Sequence, residues 1–318
     1  MKKILYIVIL IGIIIFAYFL LTNNQQYGFV NTGRFKDFKT DLSKTSIDLD
    51  DLIKEGVTKD SIPALYNPKF TDISNTNIDD DVLGVFVEID SERRFYPYNI
   101  LVWHEIVNDN IGDTEFAVTF CPLCRSAIVF DRNVGSDILD FGVSGFLYES
   151  NLLMYDNKTE SLWSQAGLEA IVGDYTGTEL KVLPMRLISF AKVKEKYPDT
   201  KILSTDTGYD RQYDFYPYRE YDESDEILFP VSVNNRMFKS KEVMFVVPYN
   251  DISIAFPHLN LEDQKKAILD IEGQHFEAFR DDDKVTVTMN GKEMPFYYEM
   301  WFSWATQHQN DGVVWQVK

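Results

Sequence analysis

The chain is poor in cysteine: its 318 residues contain only Cys121 and Cys124. Four-thiolate zinc ribbons and rubredoxin-like sites need a second pair of cysteines, so both are excluded. A disulfide between residues this close encloses a short loop and therefore stabilises little. The two thiols therefore require a local explanation at the turn TFCPLCRSAIVFDR (119–132).

Positive charge is also scarce, since 31 Lys and Arg face 50 Asp and Glu, a net charge of −19. This balance disfavours binding to nucleic acid and favours solubility and cations. A nucleophile elbow is missing too, because Phe146 stands where a Gly-x-Ser-x-Gly motif around Ser144 needs its second glycine. Nucleic-acid binders and serine hydrolases are therefore disfavoured.

One long hydrophobic run is present, ILYIVILIGIIIFAYFLL at residues 4–21, preceded by two lysines. At ~1.5 Å per residue it reaches about 27 Å, enough to cross a bilayer. We expect a cytoplasmic tip at 1–3, a transmembrane anchor at 4–21, and an extracytoplasmic remainder held at the cell membrane. A cleaved signal peptide is the alternative, and it exports the same residues.

The rest of the chain predicts a mainly β fold with a few short helices, an α+β protein. Residues 22–60 are polar and read as a tether. Strands are predicted at 82–89, 116–120, 126–130, 138–143, 152–155 and 285–289. Helices are predicted at 99–109 and 186–197.

Two segments, 183–203 and 294–315, align without gaps when Pro184 is placed on Pro295. The alignment puts Tyr197 on His308, and the strand at 82–89 has a weaker counterpart at 227–233. We interpret this as two related β-rich halves, 61–210 and 211–318, of which the second is shorter and lacks cysteine. Chance similarity of two amphipathic helices is the alternative.

The Cys-Pro-Leu-Cys turn allows three interpretations. Two thiolates in a strand-turn-strand setting suit copper or zinc, with His104 as a third metal ligand beside Cys121 and Cys124. A redox pair would use Cys121 as the nucleophile, although no helix follows it to lower the pKa of the thiol. The third interpretation is a structural pair, and a hydrogen-bonded core role is the alternative for His104.

A dense polar run at 141–165 predicts a pocket. Asp156-Asn157-Lys158-Thr159 could equally be the turn of a β-hairpin. The pocket candidates, which include one arginine upstream of the run, are Arg132, Ser144, Asn151, Asp156, Glu160, Ser161, Trp163 and Gln165.

Five motifs together resemble the domain of unknown function 3179 family: WHEIVND (103–109), VTFCPLCRSAIVFDR (118–132), FGVSGFLYESNLLMYD (141–156), TESLWSQ (159–165) and TG…R.Y…PY (207–218). The resemblance covers about 80–315. It implies an exported or membrane-anchored protein and no particular activity. Metal binding, thiol–disulfide exchange and ligand binding braced by the cysteines therefore remain three open hypotheses, and no protein partner is indicated.

Overall fold

The computed structural model describes residues 32–54, 56–259, 261, 266–281 and 284–316, and these form a mainly β protein. The described α-helices are α1 (Tyr98–His104), α2 (Phe190–Lys196), α3 (Arg219–Glu223) and α4 (Trp301–Gln307), and the 3-10 helices are Thr32–Phe35, Leu49–Asp51 and Ile73–Asn75. The α+β fold class predicted from the sequence is confirmed.

The strands are short and numerous. In chain order they are β1 (Leu65–Tyr66), β2 (Phe70–Asp72), β3 (Leu83–Ile89), β4 (Glu92–Pro97), β5 (Ile106–Ile111), β6 (Thr114–Cys121), β7 (Ser126–Asp131), β8 (Asn133–Val134), β9 (Asp137–Ile138), β10 (Phe141–Tyr148), β11 (Asn151–Asp156), β12 (Leu162–Ser164), β13 (Glu169–Val172), β14 (Arg186–Ser189), β15 (Lys201–Leu203), β16 (Val243–Tyr249), β17 (Ile252–Pro257), β18 (Lys266–Ile271), β19 (Gln274–Asp281), β20 (Lys284–Met289), β21 (Lys292–Glu293), β22 (Tyr297–Met300) and β23 (Gly312–Val314).

Two four-stranded motifs share one topology. The first has the order β14-β3-β4-β15 and the second the order β22-β16-β17-β23. In both, the first two neighbouring pairs are antiparallel and the last pair is parallel. In both, a seven-residue helix, α2 or α4, follows the strand that opens the order. The strand order and the helix that follows it are therefore repeated along the chain, and we call this the repeat; that the two halves are related stays a prediction.

Two details of that repeat differ from the expectation. The counterpart of β3 is β16 (Val243–Tyr249), because residues 227–233 form no strand. The predicted helix at 186–197 begins only at Phe190, since Arg186–Ser189 pair with β3 as β14. The boundary between halves at residue 210 stays a prediction.

An eight-stranded sheet, β1-β5-β6-β7-β22-β16-β17-β23, joins the first part of the chain to the second repeat through the pairing of Ala127 with Tyr298. Because side chains alternate along each strand, the two faces of this sheet contribute to two separate hydrophobic cores. On β6, Ala117 and Cys121 enter the same core as Phe141 and Trp163 of the sheet β10-β11-β12-β13. The alternation therefore turns the Cys121 end of β6 toward that second sheet.

The predicted anchor and the predicted tether make up the N-terminal part of the chain. The predicted anchor at 4–21 lies outside the described residues, and the described residues contain no helix long and apolar enough to span a membrane. From Asp37 onward the chain belongs to one compact unit. Ile53, placed in the predicted tether, exchanges two backbone hydrogen bonds with Leu147, so this part of the tether is packed on the domain.

Candidate functional site: the buried cysteine turn

The two cysteines lie in the tight turn between β6 and β7. Cys121 pairs with Ser126, and Arg125 closes the turn with a positive φ of 48°. Both thiols are buried and are not joined by a disulfide. The carbonyl oxygen of Cys124 accepts a hydrogen bond of 2.9 Å from the N–H of Met300. The turn is thus fastened to the second repeat.

The sulfur of Cys124 has polar neighbours in fixed orientations. Asn151 Nδ2 donates to it at 3.0 Å, and Ser126 Oγ lies 3.1 Å away. The Asn151 amide cannot be turned around, because its Oδ1 accepts the Ala166 N–H at 3.1 Å. An N–H donor is therefore held toward the sulfur by the backbone after β12.

Gln165 orients Ser126, the second polar neighbour of Cys124 Sγ. Its Nε2 donates to Thr119 Oγ1 at 2.9 Å, and that hydroxyl donates in turn to the carbonyl of Ile128. Gln165 Oε1 is left to face the hydroxyl of Ser126 at 2.5 Å and Asn151 Nδ2 at 3.1 Å. When Cys124 is ionised, the Ser126 hydroxyl can donate its hydrogen to Cys124 Sγ. Gln165 Oε1 then still accepts a hydrogen bond from Asn151 Nδ2.

These contacts separate the two thiols in acidity. Burial raises the pKa of Cys124, but hydrogen bonds from Cys121, Ser126 and Asn151 outweigh it and lower the pKa to about 6. Burial raises the pKa of Cys121 well above its ordinary value, and so does its hydrogen bond to Cys124. The lowered pKa favours Cys124 as the thiolate of the pair, whereas the sequence alone pointed to Cys121 as the nucleophile. The donors from β11 and β7 were not visible in the sequence pattern.

A buried carboxyl group accompanies the pair. Glu105 is 8% exposed, and its pKa is raised to about 8 by burial and by the charge of Cys124. Glu105 reaches this position because it ends α1 with φ 58° and ψ −32°, after which β5 begins. The helix predicted over 99–109 therefore stops at His104, and the buried Glu105 carboxyl lies close enough to Cys124 for the charge of that thiolate to raise its pKa.

His104 has a different role from the predicted one. Its Nδ1 lies 2.7 Å from the carbonyl of Pro63 and its Nε2 lies 2.6 Å from the hydroxyl of Tyr213. Both ring nitrogens are therefore occupied by hydrogen bonds, as expected of a core histidine. Within the described ranges, no three His, Cys, Asp or Glu residues are grouped to hold a metal ion. The predicted ligand set Cys121, Cys124 and His104 is not assembled.

The polar run at 141–165 contributes two residues to the cysteine turn, Asn151 and Gln165. The other predicted pocket residues make separate contacts. Ser144 donates to the Leu153 carbonyl at 2.6 Å, and Arg132 forms ion pairs with Glu115 and Asp140. The run forms strands β10, β11 and β12, and residues 156–159 lie in the turn of the β11–β12 hairpin, as the alternative interpretation had it.

Asp156 organises the turn of that hairpin. Its carboxylate accepts hydrogen bonds from the backbone N–H groups of Lys158 and Thr159, from the Thr159 hydroxyl and from Trp163 Nε1. Nearby, Ser161 contacts Thr159 Oγ1 at 2.6 Å, and Glu160 pairs with Lys59 at 3.0 Å. Asp156, Ser161 and Trp163 therefore stabilise the hairpin, whereas Glu160 links it to the segment that precedes β1.

An irregular segment, residues 205–242, covers the cysteine turn. Apart from the five-residue α3 it has no regular structure. Tyr221 donates to the carbonyl of Leu123 at 2.7 Å, and Lys241 Nζ lies 3.4 Å from the centre of the Tyr221 ring. In the same segment, burial raises the pKa of Tyr218 to about 12, and the charges of Glu105 and Cys121 add to this effect. The covering segment therefore shields the thiols from solvent.

The fold and this site define a β-rich protein with a buried, reduced dithiol. The family model described as "Protein of unknown function (DUF3179)" matches residues 59–311, so the chain belongs to that family. The resemblance found in the sequence is confirmed. No curated protein and no solved structure shows significant similarity to the chain.

Proposed function

We propose that the protein is a thiol–disulfide redox protein in which Cys124 is the attacking thiolate and Cys121 the resolving thiol. The supporting observation is the hydrogen bond of 3.0 Å from Asn151 Nδ2 to Cys124 Sγ, in a site where burial alone would keep the sulfur protonated. A thiolate, rather than a thiol, is the nucleophile in disulfide exchange. We further propose that this chemistry takes place outside the cytoplasm, a location that the predicted N-terminal anchor supports.

The reaction is a balanced two-electron exchange. Cys124 attacks one sulfur of a substrate disulfide, and the other sulfur leaves as a thiolate and takes a proton from solvent. Cys121 then loses its proton to solvent and attacks the sulfur of Cys124. This second step releases the other substrate thiol and leaves the Cys121–Cys124 disulfide, so that the substrate gains the two electrons that the protein loses.

The expected experimental signature is a thiol that reacts as an anion near neutral pH. Alkylation by iodoacetamide, followed by peptide mass spectrometry from pH 4 to 10, should locate the faster thiol at Cys124 with an apparent pKa near 6. Asn151→Asp replaces the N–H donor with a carboxylate, so the apparent pKa should rise by at least about 1 unit. The same change at exposed Asn67 serves as the control.

The proposal also requires that the two cysteines form a disulfide. In glutathione buffers of graded potential, the chain should show one two-electron transition that is absent from Cys121→Ser. Failure to form the Cys121–Cys124 disulfide at any potential, or an apparent pKa of Cys124 above about 8.5, would contradict a redox role.

Copper(I) binding is the second candidate, because two neighbouring reduced sulfurs, one of lowered pKa, suit a soft monovalent ion. Zinc is less favoured, since it takes four ligands and the described residues offer no cluster of three. Metal analysis of protein purified without chelator, beside the Cys121→Ser/Cys124→Ser variant, separates the two candidates. Equal trace amounts of copper in both proteins would exclude copper binding.

A further inference from the structure

A cavity of about 570 Å³ lies where the two segments that align in the sequence meet in the structure. Pro184 and Met185 line it from one segment, and Pro295 and Phe296, the residues aligned with them, line it from the other. The volume is within the range of small-molecule sites in proteins. The proposed redox chemistry does not use this cavity.

Two arginines on the cavity wall converge on one carboxylate. Arg93 Nε donates to Glu88 Oε1 at 2.8 Å, and Arg186 Nη2 donates to Glu88 Oε2 at 2.7 Å. Arg186 is also held by Tyr197, because its Nη1 donates to the hydroxyl at 2.6 Å and its guanidinium carbon lies 5.0 Å from the ring centre. The shared Glu88 therefore fixes the two guanidinium groups beside each other.

Each guanidinium group keeps a nitrogen that no described residue uses. Arg186 Nε and Arg93 Nη2 have no hydrogen-bond partner among the described residues. The side chains of Arg186 and Arg93 are 22% and 27% exposed, and neither nitrogen is fully buried, so a small ligand can reach both. Guanidinium donors in a fixed planar fork match the geometry of a carboxylate.

The charge of the lining favours an anion, although the whole chain carries −19. The charged side chains that line the cavity are three cations and two anions: Arg93, Arg186, Lys284, Glu88 and Glu293. Asp199 also pairs with Arg93 at 3.1 Å, but it is exposed and does not line the cavity, so solvent screens its charge. The lining therefore has an excess of one positive charge, which a monoanion neutralises and a dianion exceeds.

The remaining accessible part of the wall is apolar. Pro184 is exposed, and Met294 and Pro295 are half-buried. A ligand that covers these three side chains removes apolar surface from water, which favours binding. The cavity therefore combines an anion-binding end with an apolar surface.

We propose that this cavity binds a small organic monocarboxylate with an apolar body. The carboxylate accepts hydrogen bonds from the unused N–H groups of Arg93 and Arg186, which the shared Glu88 holds together. Lys284 supplies the excess positive charge, and the apolar body packs on the proline and methionine side chains of the wall. The site does not depend on the state of the thiols.

Calorimetric titration of the full chain with hexanoate at pH 7 tests the site. Hexan-1-ol, which has the apolar body without the charge, and acetate, which has the charge without the body, are the matched controls. We expect saturable binding of hexanoate and at least tenfold weaker binding of both controls. No saturable binding of hexanoate, or equal binding of either control, would overturn the proposal.

Two variants test the residues. Arg186→Lys keeps the positive charge beside Glu88 but removes the Nε donor, so it should weaken hexanoate about tenfold, the effect of losing one hydrogen bond to a charged group. Lys284→Gln, an exposed change that should leave the fold intact, should weaken hexanoate about threefold. Lys292→Gln, an exposed change outside the lining, is the control and should bind like the natural chain.

Unchanged affinity in both Arg186→Lys and Lys284→Gln would also overturn the proposal. The Cys121→Ser/Cys124→Ser variant should bind hexanoate like the natural chain, so failure of the redox proposal leaves this test intact.

Discussion

Replacing Asp156 with alanine is expected to lower the free energy of unfolding by about 4 kcal/mol, the largest stability effect anticipated for this chain. Asp156 is fully buried, and its carboxylate accepts hydrogen bonds from two backbone N–H groups, one hydroxyl and an indole. Alanine would leave Trp163 Nε1, 3.0 Å from the carboxylate and fully buried, without its acceptor.

Urea unfolding followed by tryptophan fluorescence measures this effect, since Trp163 itself reports on the hairpin. Asp156→Asn, which keeps one oxygen acceptor, should lose less stability than alanine. Asp113→Ala, the same change in an exposed turn, is the control and should stay within about 0.5 kcal/mol of the natural chain. A loss below about 1 kcal/mol in Asp156→Ala would show that the carboxylate does not hold the hairpin.

Glu105→Gln is expected to stabilise the protein increasingly as the pH rises from about 4.5 to 8. The pKa of Glu105 is raised from its ordinary value of 4.5 to about 8. Between these values the folded chain keeps a proton that the unfolded chain has lost, so Glu105 makes stability fall with rising pH. The difference between variant and natural chain should therefore grow by up to about 5 kcal/mol across this range.

Cys124 acts in the opposite direction. Its pKa is lowered from 9.0 to about 6, so its contribution to stability is present above pH 9 and is lost as the pH falls through 6. The natural chain should therefore show a shallow pH dependence between pH 6 and 8, where the two groups oppose each other. Glu105→Gln removes one of them and should become more stable with pH in that interval.

Urea midpoints at pH 5, 6, 7 and 8 measure the difference in stability between Glu105→Gln and the natural chain. Glu220→Gln, the same change at an exposed position on α3, is the control. A constant offset between Glu105→Gln and the natural chain at all four pH values would contradict the raised pKa of this buried carboxyl group.

The sequence predicted the strands well where apolar residues alternate, as in β3, β7 and β20. It also predicted similar segments around α2 and α4, and in the structure each of these helices directly follows the first strand of its motif. It failed where a single backbone conformation decides the outcome: the apolar period runs past Glu105, but the positive φ there ends the helix.

The surroundings of the thiols could not be predicted for a different reason. Asn151 and Gln165 are 27 and 41 residues beyond Cys124 and lie on another sheet or just beyond its strand β12. No local period links such positions, and only the packing of β10–β13 against β6 and β7 brings them together. For the same reason His104, close to the cysteines in sequence, proved to bond to Pro63 and Tyr213 instead.

The pairing of β7 with β22 has a consequence for how the molecule can be divided. The hairpin that bears the cysteines borrows its sheet neighbour from the distal copy of the repeat, and Met300 anchors the turn from across that seam. A fragment that ends before residue 297 would expose the flank of β7 and release the turn. The position of the cysteine turn therefore depends on a strand from the C-terminal part of the chain.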